Sequence, residues 1–193
     1  MRHLLLAVSL VGLIVATIAF INNRGIRTEI RDELAKFGLK TPEEHIRDGY
    51  DREELLNIAA KLDIKPPGRD ARLLDMYRRP ALLWNDVTFA IALGIFAAGL
   101  WLWVLVQFEP SGALRYLFIV MAASSLLYAV VDTAEDLVLD RILEEPGAIS
   151  DSEARTASTL TRLKGVSIIC SGAGGLVFRI LDWKVPERQP PLF

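Results

Sequence analysis

From Val87 to Phe108 the chain runs without a charged residue, and Thr88 and Gln107 are its most polar side chains. A helix rises about 1.5 Å per residue and a bilayer's hydrocarbon core is about 30 Å thick, so about 20 such residues cross it. Inside that core every backbone polar group must be satisfied internally, which leaves a helix as the fold of a single apolar block. Three more uncharged blocks follow the same logic: Leu4–Ile21, Tyr116–Val131 and Gly165–Phe178. The block at 116–131 reaches spanning length when Leu114 or the carboxylate-bearing turn after Val131 is included. The last needs Leu163 and Lys164 at one end and Ile180 to Trp183 at the other. The expectation is an all-α polytopic membrane protein, with four transmembrane helices in a small bundle and a helical extramembrane segment after the first span. The divisions are a signal-anchor-like span at 1–21, an extramembrane segment at 22–86 and a second span at 87–108. A third span with an acidic end at 114–136, a polar loop with a helix extension at 137–162, a fourth span at 163–183 and a tail at 184–193 complete it.

Met1-Arg2-His3 ahead of the first block has the form of a signal anchor. No small-x-small site closes the block, so a retained anchor is expected, with removal as a signal peptide the alternative. Asn22-Asn23-Arg24 reads as the exit at the membrane interface. Charge nearly balances, at −2 overall, and no basic patch is interleaved with aromatics, which argues against nucleic acid as a partner. The single cysteine, Cys170, can form no intrachain disulfide.

The 22–86 segment is polar yet patterned. Ile26, Ile30, Leu34 and Phe37 recur at helical spacing up to Gly38, predicting an amphipathic helix that leaves the first span. Thr41-Pro42-Glu43-Glu44 has the form of a capping box with proline at the first helical position, and Gly49 soon interrupts what it opens. Asp51-Arg52-Glu53-Glu54 starts a second helix with Leu55, Leu56, Ala59 and Leu62 on one face, stopping before Pro66. A third piece, 70–79, runs toward Pro80. His45 reads as a surface or locally hydrogen-bonded residue.

Trp84 suits a membrane interface, and Asp86 suits the N-cap of the second span. Trp101 and Trp103 mark the other boundary. The short turn Glu109-Pro110-Ser111-Gly112 makes the second and third spans an antiparallel hairpin, so Asp86 and Asp132 emerge on one side. There the third span ends in Asp132-Thr133-Ala134-Glu135-Asp136, whose carboxylates at i, i+3 and i+4 crowd one side of a helix. The fourth span opens on the same side, after Thr161-Arg162-Leu163-Lys164. Within it Ser167, Ser171 and Gly175 stand at four-residue spacing and form a helix-packing face, with Ala122, Ala123, Ser124, Ser125 and Ala129 as a matching surface.

Taken together, Gly49-Tyr50-Asp51-Arg52-Glu53-Glu54, Asn85-Asp86, Asp132-Thr133-Ala134-Glu135-Asp136 and Thr161-Arg162-Leu163-Lys164 give the chain a likeness to a known group. It resembles an uncharacterised group of small bacterial four-span membrane proteins with an Asp-x-x-Glu-Asn-like motif closing the third span. Asp136 departs from that pattern, which has asparagine there, and so adds negative charge. No activity is assigned to the group, so the resemblance implies architecture and polar positions without chemistry.

The polar positions support three readings. A functional or structural cluster of Asp86, Asp132, Glu135, Asp136 and Lys164 clasps the membrane ends of the helices in a structural or accessory membrane component. Secondary candidates are Asn85, Tyr128, Arg78, Arg79, Thr161 and Arg162. Alternatively Asp86, Asp132 and Glu135 bind a small cation or polar solute, a hard divalent cation such as calcium or magnesium being the one suited to oxygen donors. No cofactor is otherwise implied, and neither histidine is placed to complete a zinc site. An enzyme is the third reading, with Asp132 or Glu135 as acid or base beside Tyr128, but no paired motif identifies a substrate. The expected partners are the lipid bilayer and a membrane protein docking on 22–86. The expected location is the bacterial cytoplasmic (inner) membrane, multi-pass, with cytoplasmic termini because Arg2 precedes the first span.

Overall fold

The computed structural model describes the backbone of residues 2–182 and the side chains of residues 2–171. Gly175 is described by its backbone alone, within the last helix, and Trp183 and the 184–193 tail lie outside the described residues. All regular structure in the described residues is helical: α1 (Arg2–Ala35), a 3₁₀ turn (Pro42–His45), α2 (Arg52–Leu62), α3 (Leu73–Met76), a π segment (Tyr77–Asp86), α4 (Val87–Phe108), α5 (Gly112–Glu144), a 3₁₀ turn (Pro146–Ala148) and α6 (Asp151–Asp182). The long helices pack in sequence, α1 on α4, α4 on α5 and α5 on α6.

Three helices, not the expected four, are long and apolar enough to cross a membrane among the described residues: Arg2–Ala35, Leu73–Phe108 and Gly112–Glu144. This corrects the four-span bundle. The block assigned to 163–183 lies, as far as Asp182, in α6, which carries Asp151, Glu153, Arg155 and Arg162 ahead of it and Lys164 within it. Its uncharged stretch, 165–178, is shorter than a bilayer asks of a helix. The Ala148–Arg162 stretch, expected as a polar loop, is helical from Asp151. Ser150 starts it, its backbone N–H donating to Glu153 at 3.0 Å while the Glu153 N–H donates back to the Ser150 hydroxyl at 3.2 Å. That reciprocal pair satisfies two otherwise orphaned donors.

The two ends of the bundle are packed by different side chains. In the apolar half, small residues line the contacts, and a β-carbon on Gly94 would lie 2.6 Å from the Ala129 β-carbon, so α4 and α5 meet almost backbone to backbone. Large apolar side chains there, such as Leu4, Ile14, Phe20, Ile91, Leu127 and Val130, point outward. A belt of this kind suits hydrocarbon, not water. In the other half Ile30, Leu34, Leu55, Ile58, Leu62, Leu73, Tyr77, Leu82, Leu139 and Leu143 form one closed core. Burying each such aliphatic side chain stabilises by about 1.5–3 kcal/mol relative to exposure.

Local signals explain most element ends. Gly38 takes φ +71 after α1, and the Leu39 N–H returns to Leu34 O at 3.1 Å. Asp51 caps α2 by accepting from the Glu54 N–H at 2.9 Å. Pro80 behaves otherwise. Expected to end a helix, it lies inside the π segment that joins α3 to α4. A proline lacks the N–H for an α-helical bond and crowds the preceding turn, and a wider π turn relieves both. The carbonyls of Pro80 and Ala81 accept from the side-chain amides of Asn85 and Asn23. Asp86 consequently is not the N-cap expected of it. Its φ of −71° and ψ of −47° are helical, and it makes no side-chain cap.

Candidate functional site

Between the apolar half and the closed core lies a buried polar layer to which α1, the π segment, α5 and α6 contribute. On α5 the inward stripe reads Met121, Ser125, Tyr128, Asp132, Glu135, Leu139 and Ile142, a spacing of alternate fours and threes. One helical face thus passes from membrane packing, through carboxylates, into core. Asp132 is 3% exposed, and Glu135 and Asp136 are 0% exposed. Lys164 reaches them from α6, itself 8% exposed.

Lys164 bridges two acids. Its Nζ pairs closely with Asp132 and lies 3.0 Å from Glu135 Oε2. The Tyr128 hydroxyl donates to Asp132 at 2.6 Å, and the Thr161 hydroxyl donates to Glu135. Expected at this site, Asp132, Glu135, Lys164, Tyr128 and Thr161 all meet. Asp136 lies among them, yet neither of its oxygens has a hydrogen-bond partner.

A second ionic centre adjoins the first. Arg27 of α1 pairs closely with Asp86 and lies 3.5 Å from Glu43 Oε1. Asn23 donates to Asp86 at 2.9 Å, and the Tyr77 hydroxyl donates to Glu43 at 2.9 Å. Glu43 lies outside the spans. Burial pushes its carboxyl up, but Arg27, then Lys164, with the backbone and Thr41 donors, pull it down, and its pKa ends below the usual carboxylate value. The influence of Lys164 on Glu43 couples the two centres.

Residues 41–50 strap the site on the α6 side. Glu44 accepts from the Thr41 N–H at 2.9 Å, completing the capping interaction read from the sequence. The Tyr50 N–H donates to the Ser158 hydroxyl at 3.0 Å, and Tyr50 Oη lies 3.2 Å from Thr161 Oγ1. Burial pushes the Tyr50 hydroxyl above the ordinary phenol range, so it stays protonated. Gly49 takes φ +70, and a β-carbon there would run into Arg162 and Ser158. His45 is buried, with Nε2 3.3 Å from Glu54 Oε1.

The remaining candidates lie at the margin. Asn85 serves the π segment, as above. Arg78 pairs with Asp140 at 3.1 Å and Glu144 at 3.3 Å, away from the cluster, and Arg79 is exposed beside Asp75. Arg162 donates to the Asp48 carbonyl of the strap. Ser167 donates to Leu163 O within its own helix, whereas the Ser171 and Ser125 hydroxyls meet at 2.7 Å, joining α6 to α5. Cys170 is exposed.

Comparison with known proteins finds no matching family model, no matching curated protein and no matching solved structure. The site is therefore defined by its own geometry.

That geometry does not favour a hard cation. Among the described residues no group of three or more histidine, cysteine, aspartate or glutamate side chains is arranged to hold a metal ion. Lys164 Nζ occupies the place between Asp132 and Glu135 that a cation would take.

Asn23, Arg27, Glu43, Tyr50 and Tyr77 belong to the site without having been chosen for it. Asn23, taken for an interface residue, is 3% exposed. Its signal was present in the α1 stripe Ser9, Gly12, Ala16, Ala19, Asn23, Ile30 and Leu34, where an amide continues a small and apolar face. Glu43 was masked by its place in a capping box.

Proposed function

We propose that the chain is a structural or accessory membrane component whose buried Asp/Glu/Lys layer clasps the membrane ends of its helices to the extramembrane core. The observation that carries this reading is the Lys164 ammonium, buried and shared between Asp132 and Glu135 at the junction of α5 and α6. Buried ion pairs are poor net stabilisers against an apolar alternative, but removing one partner strands the others. They are accordingly suited to specifying one arrangement of helices. The cluster is assigned no catalytic step here.

The rest of the reading concerns surroundings. The exposed apolar belt is the lipid contact, and the bacterial cytoplasmic membrane with cytoplasmic termini is the setting that Arg2 and the resemblance of the acidic motif favour. The 22–86 segment, which carries the strap and α2, is the docking surface for a membrane protein partner. Replacing Lys164 with methionine tests the clasp. Thermal unfolding of the purified chain in detergent is expected at a clearly lower temperature than for the wild type. Equal unfolding temperatures and equal expression would sink the idea.

A further inference from the structure

Five carboxylates and two cations meet in the buried layer, and the pairing exhausts the cations. Arg27 takes Asp86 and Glu43, and Lys164 takes Asp132 and Glu135. Asp136 is left over. It is 0% exposed, and neither Oδ1 nor Oδ2 accepts or donates a hydrogen bond.

The groups around it come from every element packed there. Tyr128, Asp132 and Glu135 flank it on α5, Lys164 acts on it from α6, Glu43 from the 3₁₀ turn and Arg27 from α1. Asp86 and Tyr77 of the π segment are already engaged, with Arg27 and Glu43. An ionised carboxylate here would lack both water and a donor and would face Asp132, Glu135 and Glu43, a costly arrangement for a carboxyl. A neutral carboxyl removes the like-charge repulsion and most of the desolvation cost. A metal ion would need converging oxygens, which the described residues do not offer. The ligand that fits a fully buried carboxyl with no hydrogen-bond partner is a proton.

We infer that Asp136 is a proton-binding site, the closed cluster holding one proton on this carboxyl at neutral pH. The proton forms an O–H bond on Asp136, leaving the layer with four carboxylates against two cations. Opening the layer to water releases it, so opening is linked to pH. This inference is separate from the clasp, because Asp136 belongs to neither ion-paired centre.

Infrared spectroscopy of the full chain in detergent at neutral pH tests it. The wild type is expected to show a protonated-carboxyl C=O band that Asp136→Asn lacks. No band in the wild type overturns the proposal without any variant, and a band that persists in Asp136→Asn overturns it by placing the proton elsewhere. Thermal unfolding against pH gives a second readout. The unfolded chain loses this proton near pH 3.9, about the value of a free aspartate, whereas the folded chain keeps it. Between that pH and neutrality the folded state binds more protons, so the wild type loses stability as pH rises. The unfolding temperature of Asp136→Asn relative to the wild type should therefore climb with pH, and a difference that stays constant would reject the site. An unfolding temperature unchanged in Lys164→Met, which would overturn the clasp, leaves both of these readouts on the wild type and Asp136→Asn standing.

Discussion

Arg27 and Lys164 hold equivalent stations on opposite sides of one polar layer, each a cation shared by two acids that also keep a neutral donor. Asp86 keeps Asn23 and Glu43 keeps Tyr77, while Asp132 keeps Tyr128 and Glu135 keeps Thr161. They differ in access to water. The Arg27 side chain is 31% exposed and its acids 9–11%, whereas the Lys164 side chain is 10% exposed and its acids 4% and 0%. The same stoichiometry therefore has different consequences. Near water a stranded carboxylate can be rehydrated, but in the drier centre it cannot.

Breaking the drier centre should have the largest effect. Lys164→Met leaves Asp132 and Glu135 unpaired and should cost about 3–5 kcal/mol of stability, read from chemical or thermal unfolding in detergent. Arg27→Met should cost less, about 1.5–3 kcal/mol, the range for charged hydrogen bonds, because water reaches that side. Equal losses would erase the distinction between the two centres. Gly49→Ala tests the strap that closes the Lys164 side. A left-handed alanine costs about 1–3 kcal/mol, and here its β-carbon also displaces Arg162 or Ser158. Faster hydrogen exchange at the Tyr50 amide should accompany the loss.

Acid provides the gentlest probe. The Glu43 carboxyl is held below its usual pKa in the folded chain, so the unfolded chain binds its proton first as pH falls. Its contribution is complete above about pH 4.3, the value of a free glutamate, and is lost as pH drops through the lower folded value. Glu43→Gln should flatten that acid limb of the unfolding temperature, and an unchanged limb would remove Glu43 from the ionic layer.

Much of the fold was legible because its causes are local. The uncharged block at 87–108 could only be a helix in hydrocarbon, the Glu109–Gly112 turn was too short for anything but a hairpin, and Asp51 carried its own cap. The inward stripe of α5 could be read as far as Asp132 and Glu135 by period alone. The fourth span failed because hydropathy was stretched over Lys164, whose partners Asp132 and Glu135 lie in the buried polar layer. Pro80 and Asp86 were misread for a related reason. A proline predicts a break and an aspartate before an apolar run predicts a cap, but the π segment carries the helix through both, its carbonyls met by Asn85 and by Asn23 from another helix.

What this sequence determined by itself was which faces are apolar, where the chain turns and that carboxylates would gather at one end of the hairpin. What tertiary structure decided was the pairing. Arg27 and Glu43 are remote in sequence from Asp86, and Lys164 is 29 residues from Glu135. No local rule states which acid a cation will meet or which acid will be left over. That depends on how closely the helices approach and how much water they exclude, and Asp136 is the residue on which the two conditions converge.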